Sequence, residues 1–207
     1  MVSTRSGGVR SDPPAKTTSS SAPKSKEATT ARKASASAPK PSASSSKGGA
    51  KELKVGDSLP AKDKAPELVA ATADESKVTL NNLVEKSGKG VVIFFYPAAN
   101  TPGCTNQAKL FNEHHQKFKG KGYTVAGSSK DKPEAQKKWH TKLGLQYDLY
   151  TDANGDTAEL LGLLKAGRKV QRGVAVIEKT ADGGKLAFGG AYGPQASLDE
   201  ALKHLGA

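Results

Sequence analysis

The chain of 207 residues contains very little cysteine and no long apolar run. Its one cysteine, Cys104, excludes an intramolecular disulfide and a cysteine-rich metal site. No stretch approaches the ~20 consecutive apolar residues of a membrane span, and the N-terminus lacks the apolar core of a secretory signal. We expect a soluble, intracellular protein with no membrane contact. Any redox cycle would need a thiol from a second molecule.

Metal-binding patterns are also lacking. His114 and His115 are adjacent, so on a helix they point to different faces, and no further histidine or acid follows at ligand spacing. The paired glycines at 183–184 and 189–190 lack the surroundings of a phosphate-binding loop. We therefore expect neither a metal nor an organic cofactor.

Residues 1–51 differ sharply in composition from the rest of the chain. They contain no Leu, Ile, Phe, Tyr, Trp or Cys, and they carry ten Lys or Arg against two acidic residues. Such a segment cannot bury enough apolar surface to fold. Residues 52–207, with twenty-two basic and eighteen acidic residues, have the length of one domain. We predict a disordered basic tail rich in Ser, Ala, Lys and Pro at 1–51, and one folded domain at 52–207.

The tail has several interpretations. Its scattered basic residues could form a nuclear localisation segment, a weak non-specific nucleic-acid tether or a solubilising arm. An organellar transit peptide is disfavoured, because such peptides form amphipathic helices with large apolar residues, whereas this segment has none and many Pro and Gly.

Extended and helical patterns alternate after residue 52. Apolar runs and turn residues predict extended segments at 78–80, 90–97, 123–127, 148–151, 172–178 and 185–188. Helical periodicity predicts helices at 103–119 and 132–143, a short one ending at 163, and a last one at 197–205 that begins with Ser197 as N-cap. This order predicts an α/β fold with a mixed sheet and helices on both faces.

Cys104 stands at the start of the predicted helix 103–119. Unpaired backbone N–H groups and the positive end of the helix dipole favour the thiolate there, and the thiolate is the nucleophilic form. The alternative is a buried structural cysteine without chemistry. Cys104 shares a helical stripe with Ala108, Phe111, His115 and Phe118, which we predict to be the buried face, with His115 a satisfied core residue.

The residues around Cys104 carry a family resemblance. Residues 97–104, Pro-Ala-Ala-Asn-Thr-Pro-Gly-Cys, fit the Pro-x-x-x-Thr-x-x-Cys signature of peroxiredoxins. Thr-Pro-Gly-Cys-Thr at 101–105 resembles the bacterioferritin-comigratory protein or peroxiredoxin Q subfamily, as do segments 53–60, 148–155 and 172–178. A basic arm before such a domain is similar to fungal nuclear thiol peroxidases. The resemblance implies a thioredoxin-like fold, a central mixed sheet flanked by helices, and nuclear localisation ahead of cytoplasmic.

The resemblance also implies an activity, that of a thiol peroxidase acting on hydrogen peroxide and organic hydroperoxides. Cys104 would attack the peroxide and become a sulfenic acid. Thr101 would offer its hydroxyl to the peroxide oxygen, and Arg172 would supply the cation beside the sulfur. Pro97 would shield the thiolate from water. The alternative for Arg172, weaker even without the resemblance, is a solvated charge at a strand end.

The sequence departs from the family pattern at residues that concern the reduction of the sulfenic acid back to the thiol. Lys109 occupies the position where many peroxiredoxin Q proteins carry a resolving cysteine, so reduction would require thioredoxin, glutaredoxin with glutathione, or Cys104 of another copy. Gln107 and Asn112 stand where many relatives have Glu and Arg, and we expect this to alter partner docking more than peroxide attack. The protein would be a monomer, with a Cys104-linked dimer forming on oxidation. The alternative function is a peroxide sensor that forms mixed disulfides through Cys104.

Overall fold

The computed structural model describes residues 51–207, so the tail predicted at 1–51 lies outside the described residues apart from its last one. Nine strands are present in this range: β1 Leu68–Ala70, β2 Lys77–Val78, β3 Gly90–Phe95, β4 Tyr123–Ser129, β5 Asp148–Thr151, β6 Leu164–Lys165, β7 Lys169–Val170, β8 Gly173–Thr180 and β9 Gly183–Ala191. Six helices accompany them: α1 Leu80–Lys86, α2 Pro102–Glu113, α3 His115–Gly120, α4 Pro133–Leu143, α5 Asp156–Leu160 and α6 Pro194–Leu205.

Seven of the strands form one mixed sheet in the order β2-β1-β5-β4-β3-β8-β9. β3 pairs in parallel with β4, and β4 with β5, whereas the remaining pairings of this sheet are antiparallel. The short strands β6 and β7 form a separate antiparallel pair. The mixed sheet expected from the order of elements is therefore confirmed.

The central strand β3 is covered on both faces, as its continuous apolar sequence predicts. All six of its residues are buried. Val91, Ile93 and Phe95 belong to a core cluster that includes apolar residues of α1 and α5. Val92 and Phe94 belong to a second cluster that includes apolar residues of α2, α3, α4 and α6. Four helices thus lie on one face of the sheet and two on the other.

The prediction of an extended segment at 78–80 is correct for Val78 and wrong for Leu80. The strand β2 ends at Val78, and α1 begins at Leu80. Thr79 is the N-cap: its hydroxyl accepts from the Asn82 backbone N–H, and its own backbone N–H donates to the Asn82 side chain at 2.8 Å. This reciprocal pair satisfies two donors that a helix start leaves unpaired, so it stabilises a helix where only extended structure was expected.

The helix predicted at 103–119 is two helices. His114, with φ −101° and ψ 5°, separates α2 from α3, and its ring Nδ1 lies 3.0 Å from the Leu110 carbonyl oxygen. The expected buried stripe holds for Cys104 and Phe118 but not for His115, which is only half-buried and whose Nδ1 has no hydrogen-bond partner. The break at His114 interrupts the regular helical spacing on which the prediction for His115 depended.

The last helix starts earlier than predicted. Its N-cap is Gly193 and its first residue is Pro194, whose fixed φ suits a first helical turn. Ser197 is therefore not the N-cap. It is fully buried inside α6, and its hydroxyl donates to the Gly193 carbonyl oxygen at 2.8 Å. The predicted helix at 132–143 is confirmed, with Gly144 in the left-handed conformation after its end.

Candidate active site

Cys104 occupies the third position of α2, directly after Pro102 and Gly103. Thr101 is the N-cap in an extended conformation, and its side chain makes no capping hydrogen bond. The Cys104 residue is 1% exposed and belongs to the core cluster beneath α2. Its sulfur therefore combines burial with the first turn of a helix, where unpaired N–H groups and the helix dipole favour negative charge.

Arg172 supplies a cation to this sulfur. Its Nη2 lies 3.4 Å from Cys104 Sγ, although 68 residues separate the two in sequence. Arg172 directly precedes β8, and β8 runs antiparallel to β3 with Gly173 opposite Phe95. Because β3 leads into the 97–101 loop and α2, this register brings the start of β8 beside the start of α2. The guanidinium therefore places a fixed positive charge and its N–H donors beside the Cys104 sulfur.

Gly103 provides the space that the guanidinium occupies. A Cβ atom at this position would lie 3.1 Å from Arg172 Nη2 and 3.6 Å from its Cζ. Such a contact is tighter than ordinary van der Waals packing, so a residue with a Cβ here would require the guanidinium to shift by a few tenths of an ångström. The glycine of the motif therefore serves the position of Arg172.

Gln107 fixes the other side of the guanidinium. Arg172 Nη1 donates to Gln107 Oε1 at 3.0 Å, and Gln107 Nε2 donates to the Gly173 carbonyl oxygen at 3.4 Å and to Ser197 Oγ at 3.3 Å. The Gln107 side chain is fully buried. From the sequence we expect the replacements at Gln107 and Asn112 to alter partner docking more than peroxide attack, and this stays a prediction. The structure adds a contact that the sequence did not indicate, between Gln107 and the Arg172 guanidinium, one helical turn after Cys104.

Thr101 and Pro97 lie on the exposed side of the site. Thr101 Oγ1 donates to the Ala98 carbonyl oxygen at 3.0 Å, so its proton is directed into the 97–101 loop in this structure. A bound peroxide could receive that hydrogen bond only after rotation of the hydroxyl. Pro97 follows the buried Tyr96 and begins the loop. Its missing N–H leaves no backbone donor at this point.

The loop from 97 to 101 is held by residues that follow β4. Asp131 Oδ2 accepts from the Ala99 backbone N–H at 2.6 Å and from Ser129 Oγ at 2.9 Å. Asn100 has φ +59°, and its side chain accepts from Lys142 Nζ at 2.9 Å. These contacts fix the conformation of the chain that leads into Cys104. The sequence interpretation missed Asp131, because its role depends on a contact 32 residues away.

Tyr96 anchors the end of β3 beneath the loop. Its hydroxyl donates to Gln136 Oε1 at 2.6 Å, and Gln136 Nε2 donates to Thr151 Oγ1 at 2.8 Å. Burial raises the pKa of Tyr96 far above its usual value. The phenol stays neutral at physiological pH, so its role is structural support and not proton transfer.

Within residues 51–207, no group of three or more His, Cys, Asp or Glu side chains has the arrangement of a metal site. Over the same residues, no helix has the length and hydrophobicity needed to cross a bilayer. A thiol beside a fixed guanidinium, at a helix start, can act as a nucleophile toward a small electrophile.

Comparison with known proteins identifies the family. The model of the AhpC/TSA family matches residues 61–182. The chloroplastic peroxiredoxin Q of Gentiana triflora is 37% identical over 131 residues, covering 60% of this chain and 58% of that protein. Peroxiredoxin bcp1 of Schizosaccharomyces pombe is 34% identical over 131 residues, covering 63% of this chain and 66% of that protein. The chain thus spans about three fifths of the length of these curated relatives.

A solved structure extends the likeness to the fold. Peroxidoxin BcpB from Mycobacterium tuberculosis superposes with a TM-score of 0.64 at 30% identity, covering 74% of this chain and 97% of that chain. This likeness confirms the thioredoxin-like fold expected from the sequence. By sequence and by fold, the chain belongs to the AhpC/TSA family, within its peroxiredoxin Q and bacterioferritin-comigratory branch.

Proposed function

We propose that this protein is a thiol peroxidase that reduces hydrogen peroxide and organic hydroperoxides through Cys104. The observation that carries the proposal is the 3.4 Å contact between Arg172 Nη2 and Cys104 Sγ at the first turn of α2. A guanidinium at this distance stabilises negative charge on sulfur and offers further N–H donors to an approaching oxygen. The similarity to peroxiredoxins Q supports the same reaction.

The first half-reaction oxidises the cysteine. The Cys104 thiolate attacks the terminal oxygen of ROOH, a sulfur–oxygen bond forms, and the O–O bond breaks. The electron pair of the broken bond leaves on RO⁻, which takes a proton to become ROH, and Cys104 is left as sulfenic acid. Negative charge moves from sulfur to oxygen, and the N–H donors of the Arg172 guanidinium can interact with both atoms during the reaction. Thr101 and Pro97 are proposed to position the peroxide and to exclude water.

The second half-reaction needs external thiols. A first thiol condenses with the sulfenic acid to give a mixed disulfide and water, and a second thiol displaces Cys104 as the thiol. Since the chain has one cysteine and Lys109 in place of a resolving cysteine, both thiols come from outside. We propose thioredoxin, or glutaredoxin with glutathione, as the donor. The protein would act as a monomer, with a Cys104-linked dimer on oxidation.

A stopped-flow experiment tests this function. The pre-reduced protein is mixed with hydrogen peroxide, and oxidation is followed by the fluorescence of Trp139, which belongs to the same core cluster as Cys104. Steady-state turnover is then measured by NADPH consumption with thioredoxin and thioredoxin reductase. We expect a fast fluorescence change and sustained turnover, both absent in Cys104→Ser. Absence of a fast reaction in the wild-type protein would refute peroxidase chemistry.

The alternative function is a peroxide sensor that transfers oxidation to target proteins through mixed disulfides. The missing resolving cysteine favours this alternative, because a sulfenic acid without an internal partner persists longer. Rapid oxidation with only one equivalent of peroxide consumed, in the presence of either thiol system, would select the sensor. Sustained turnover with one of them would select the enzyme and identify its reductant.

We further propose that the protein acts in the nucleus, with the cytoplasm as the alternative. The basic composition of residues 1–51 supports this, and we propose that the same charges make weak, non-specific contacts with nucleic acid. Fluorescent fusions of the full chain and of a chain whose ten tail Lys and Arg are replaced by Gln provide the test. We expect nuclear fluorescence for the first fusion only. Equal distribution of the two fusions would contradict a targeting role.

A further inference from the structure

The positive charge of residues 52–207 is concentrated in one part of the fold. Residues 102–142 carry nine lysines against three acidic residues, whereas the rest of 52–207 carries thirteen basic and fifteen acidic residues. All nine lysines are exposed. We call them the lysine face: Lys109, Lys117, Lys119, Lys121, Lys130, Lys132, Lys137, Lys138 and Lys142. The excess of positive charge in residues 52–207 therefore comes from residues 102–142 alone.

This stretch forms one side of the molecule. It comprises α2, α3, β4 and α4, and the apolar residues of the three helices share the core cluster on one face of the sheet. The segment that follows α4 contacts the C-terminal part of α2, since Asn112 Oδ1 accepts from the Gln146 N–H at 2.8 Å. The lysines of α2, α3 and α4 therefore lie on one helical layer, whereas Lys130 reaches the β6–β7 turn, where its Nζ donates to the Arg168 carbonyl oxygen at 3.3 Å.

The charges of this layer are not compensated by the protein. Six ion pairs occur within residues 51–207, and none involves a lysine of the lysine face. Three of these ammonium groups donate instead to neutral oxygens: Lys121 to Gly206, Lys130 to Arg168 and Lys142 to Asn100. Nine lysines against three acidic residues leave this stretch with a net charge of +6. The face therefore keeps its positive potential.

The composition of the face indicates the kind of partner. Stable protein interfaces are enriched in aromatic residues and Arg at their centre and depleted in Lys. The basic residues here are all Lys, and across the described range Val55 is the one large apolar residue that is exposed. Single-stranded nucleic acid would need exposed aromatic side chains for base stacking. Lysines without aromatics suit the regularly spaced phosphates of a duplex.

We propose that the lysine face of α2, α3 and α4 binds the phosphate backbone of duplex DNA without sequence preference. This surface is separate from the tail and independent of peroxidase chemistry. It places the helix that carries Cys104 in the same layer as the contact surface. Bound in this way, the peroxidase site would face the immediate surroundings of the duplex.

The test uses the full chain and two variants of equal charge. The face variant changes Lys117, Lys119, Lys137 and Lys138 to Gln. The control variant changes four exposed lysines elsewhere to Gln: Lys54, Lys64, Lys86 and Lys185. Affinity for a fluorescein-labelled duplex of about 20 base pairs is measured by anisotropy from about 50 to about 200 mM salt. Thermal unfolding and peroxide oxidation rates should match the wild type in both variants.

We expect the face variant to lower the slope of log K against log salt concentration by about 3–4, since each lost phosphate contact contributes about 0.9. The control variant should stay within about half a unit of the wild type. An equal fall in both variants would show only a general effect of net charge and would overturn the proposal. So would no change in either variant, which would assign all binding to the tail. Binding of labelled polyglutamate is measured in the same way; if the face variant loses polyglutamate binding but keeps DNA binding, the face would be assigned to an acidic protein and the proposal would be overturned.

Discussion

Replacing Gln107 by Met should slow the oxidation of Cys104 while leaving the protein folded. Met has a similar length but cannot accept the 3.0 Å hydrogen bond from Arg172 Nη1. A hydrogen bond to a charged group contributes about 1.5–3 kcal/mol, and 1.36 kcal/mol corresponds to a factor of ten in rate. If that free energy holds the guanidinium at the sulfur, the second-order rate constant with hydrogen peroxide falls roughly 10- to 150-fold.

The rate constant of Arg172→Met serves as the reference for the reduction expected in Gln107→Met. At 3.4 Å and an effective dielectric constant near 20, the attraction between guanidinium and thiolate is about 5 kcal/mol. Water that enters the site recovers part of it, so we expect a loss of about 100- to 1,000-fold. The assay is the single-turnover stopped-flow change in Trp139 fluorescence, with Gln116→Met, an exposed change on α3, as the matched control.

A double-mutant cycle decides whether Gln107 acts through Arg172. Once Arg172 is Met, replacing Gln107 should have little further effect on the rate constant, because the group it positions is gone. Two independent effects that multiply in the double variant would refute the positioning role. A wild-type rate in a folded Gln107→Met protein would refute the whole argument. Thermal unfolding of each variant separates both results from loss of structure.

Three further changes test other contacts of the site. Gly103→Ala places a methyl group 3.1 Å from Arg172 Nη2, so the oxidation of Cys104 by peroxide should slow several-fold. The melting temperature should hold or rise, because Ala favours a helix more than Gly does. An unchanged oxidation rate would contradict the steric argument. Asp131→Ala removes the side-chain acceptor of the Ala99 N–H in the 97–101 loop. Urea unfolding should show a free energy of unfolding lower by about 1–3 kcal/mol, and Cys104 should be oxidised more slowly. A free energy of unfolding equal to that of the wild type would contradict the role of Asp131 in holding the loop. Burial, and then the charge of Lys119, lower the pKa of His115 below 6.5, so the unfolded chain binds this proton more readily and stability falls as pH drops through and below about 6.5. His115→Phe should reduce that loss between about pH 7.5 and 5.5 in urea titrations, and an identical pH slope would refute the assignment.

The central part of the fold could be predicted from sequence because its signals are local and strong. β3 is a continuous apolar run, and α4 ends at a glycine that adopts the left-handed conformation. Short elements gave no comparable signal. β1 has three residues, and β6 and β7 have two each, so their existence depends on pairing with distant partners. The break at His114 has no glycine or proline to mark it.

The candidate site divides in the same way. Pro97, Thr101 and Cys104 fall within eight consecutive residues, so one motif contains them, and Arg172 was found through the family resemblance. The structure brings Arg172 to Cys104, and the catalytic roles of all four stay predictions. Residues whose function lies in a tertiary contact gave no signal, as with Asp131 at the loop. The partner of Gln107 could not be read from sequence for the same reason.

The depth of Cys104 sets opposing demands on the two halves of the cycle. With 1% of the residue exposed, the sulfur is covered by the surrounding chain, so a protein thiol, which is far larger than a peroxide, would reach the oxidised cysteine only if the first turn of α2 moved. That turn has no side-chain cap at Thr101, so one interaction that commonly holds a helix start closed is absent. Conditions that loosen the first turn of α2, such as mild denaturant, would slow the attack of Cys104 on peroxide. The same conditions would speed the reduction of the oxidised cysteine by an external thiol. The fastest overall turnover would therefore occur at an intermediate stability of the first turn.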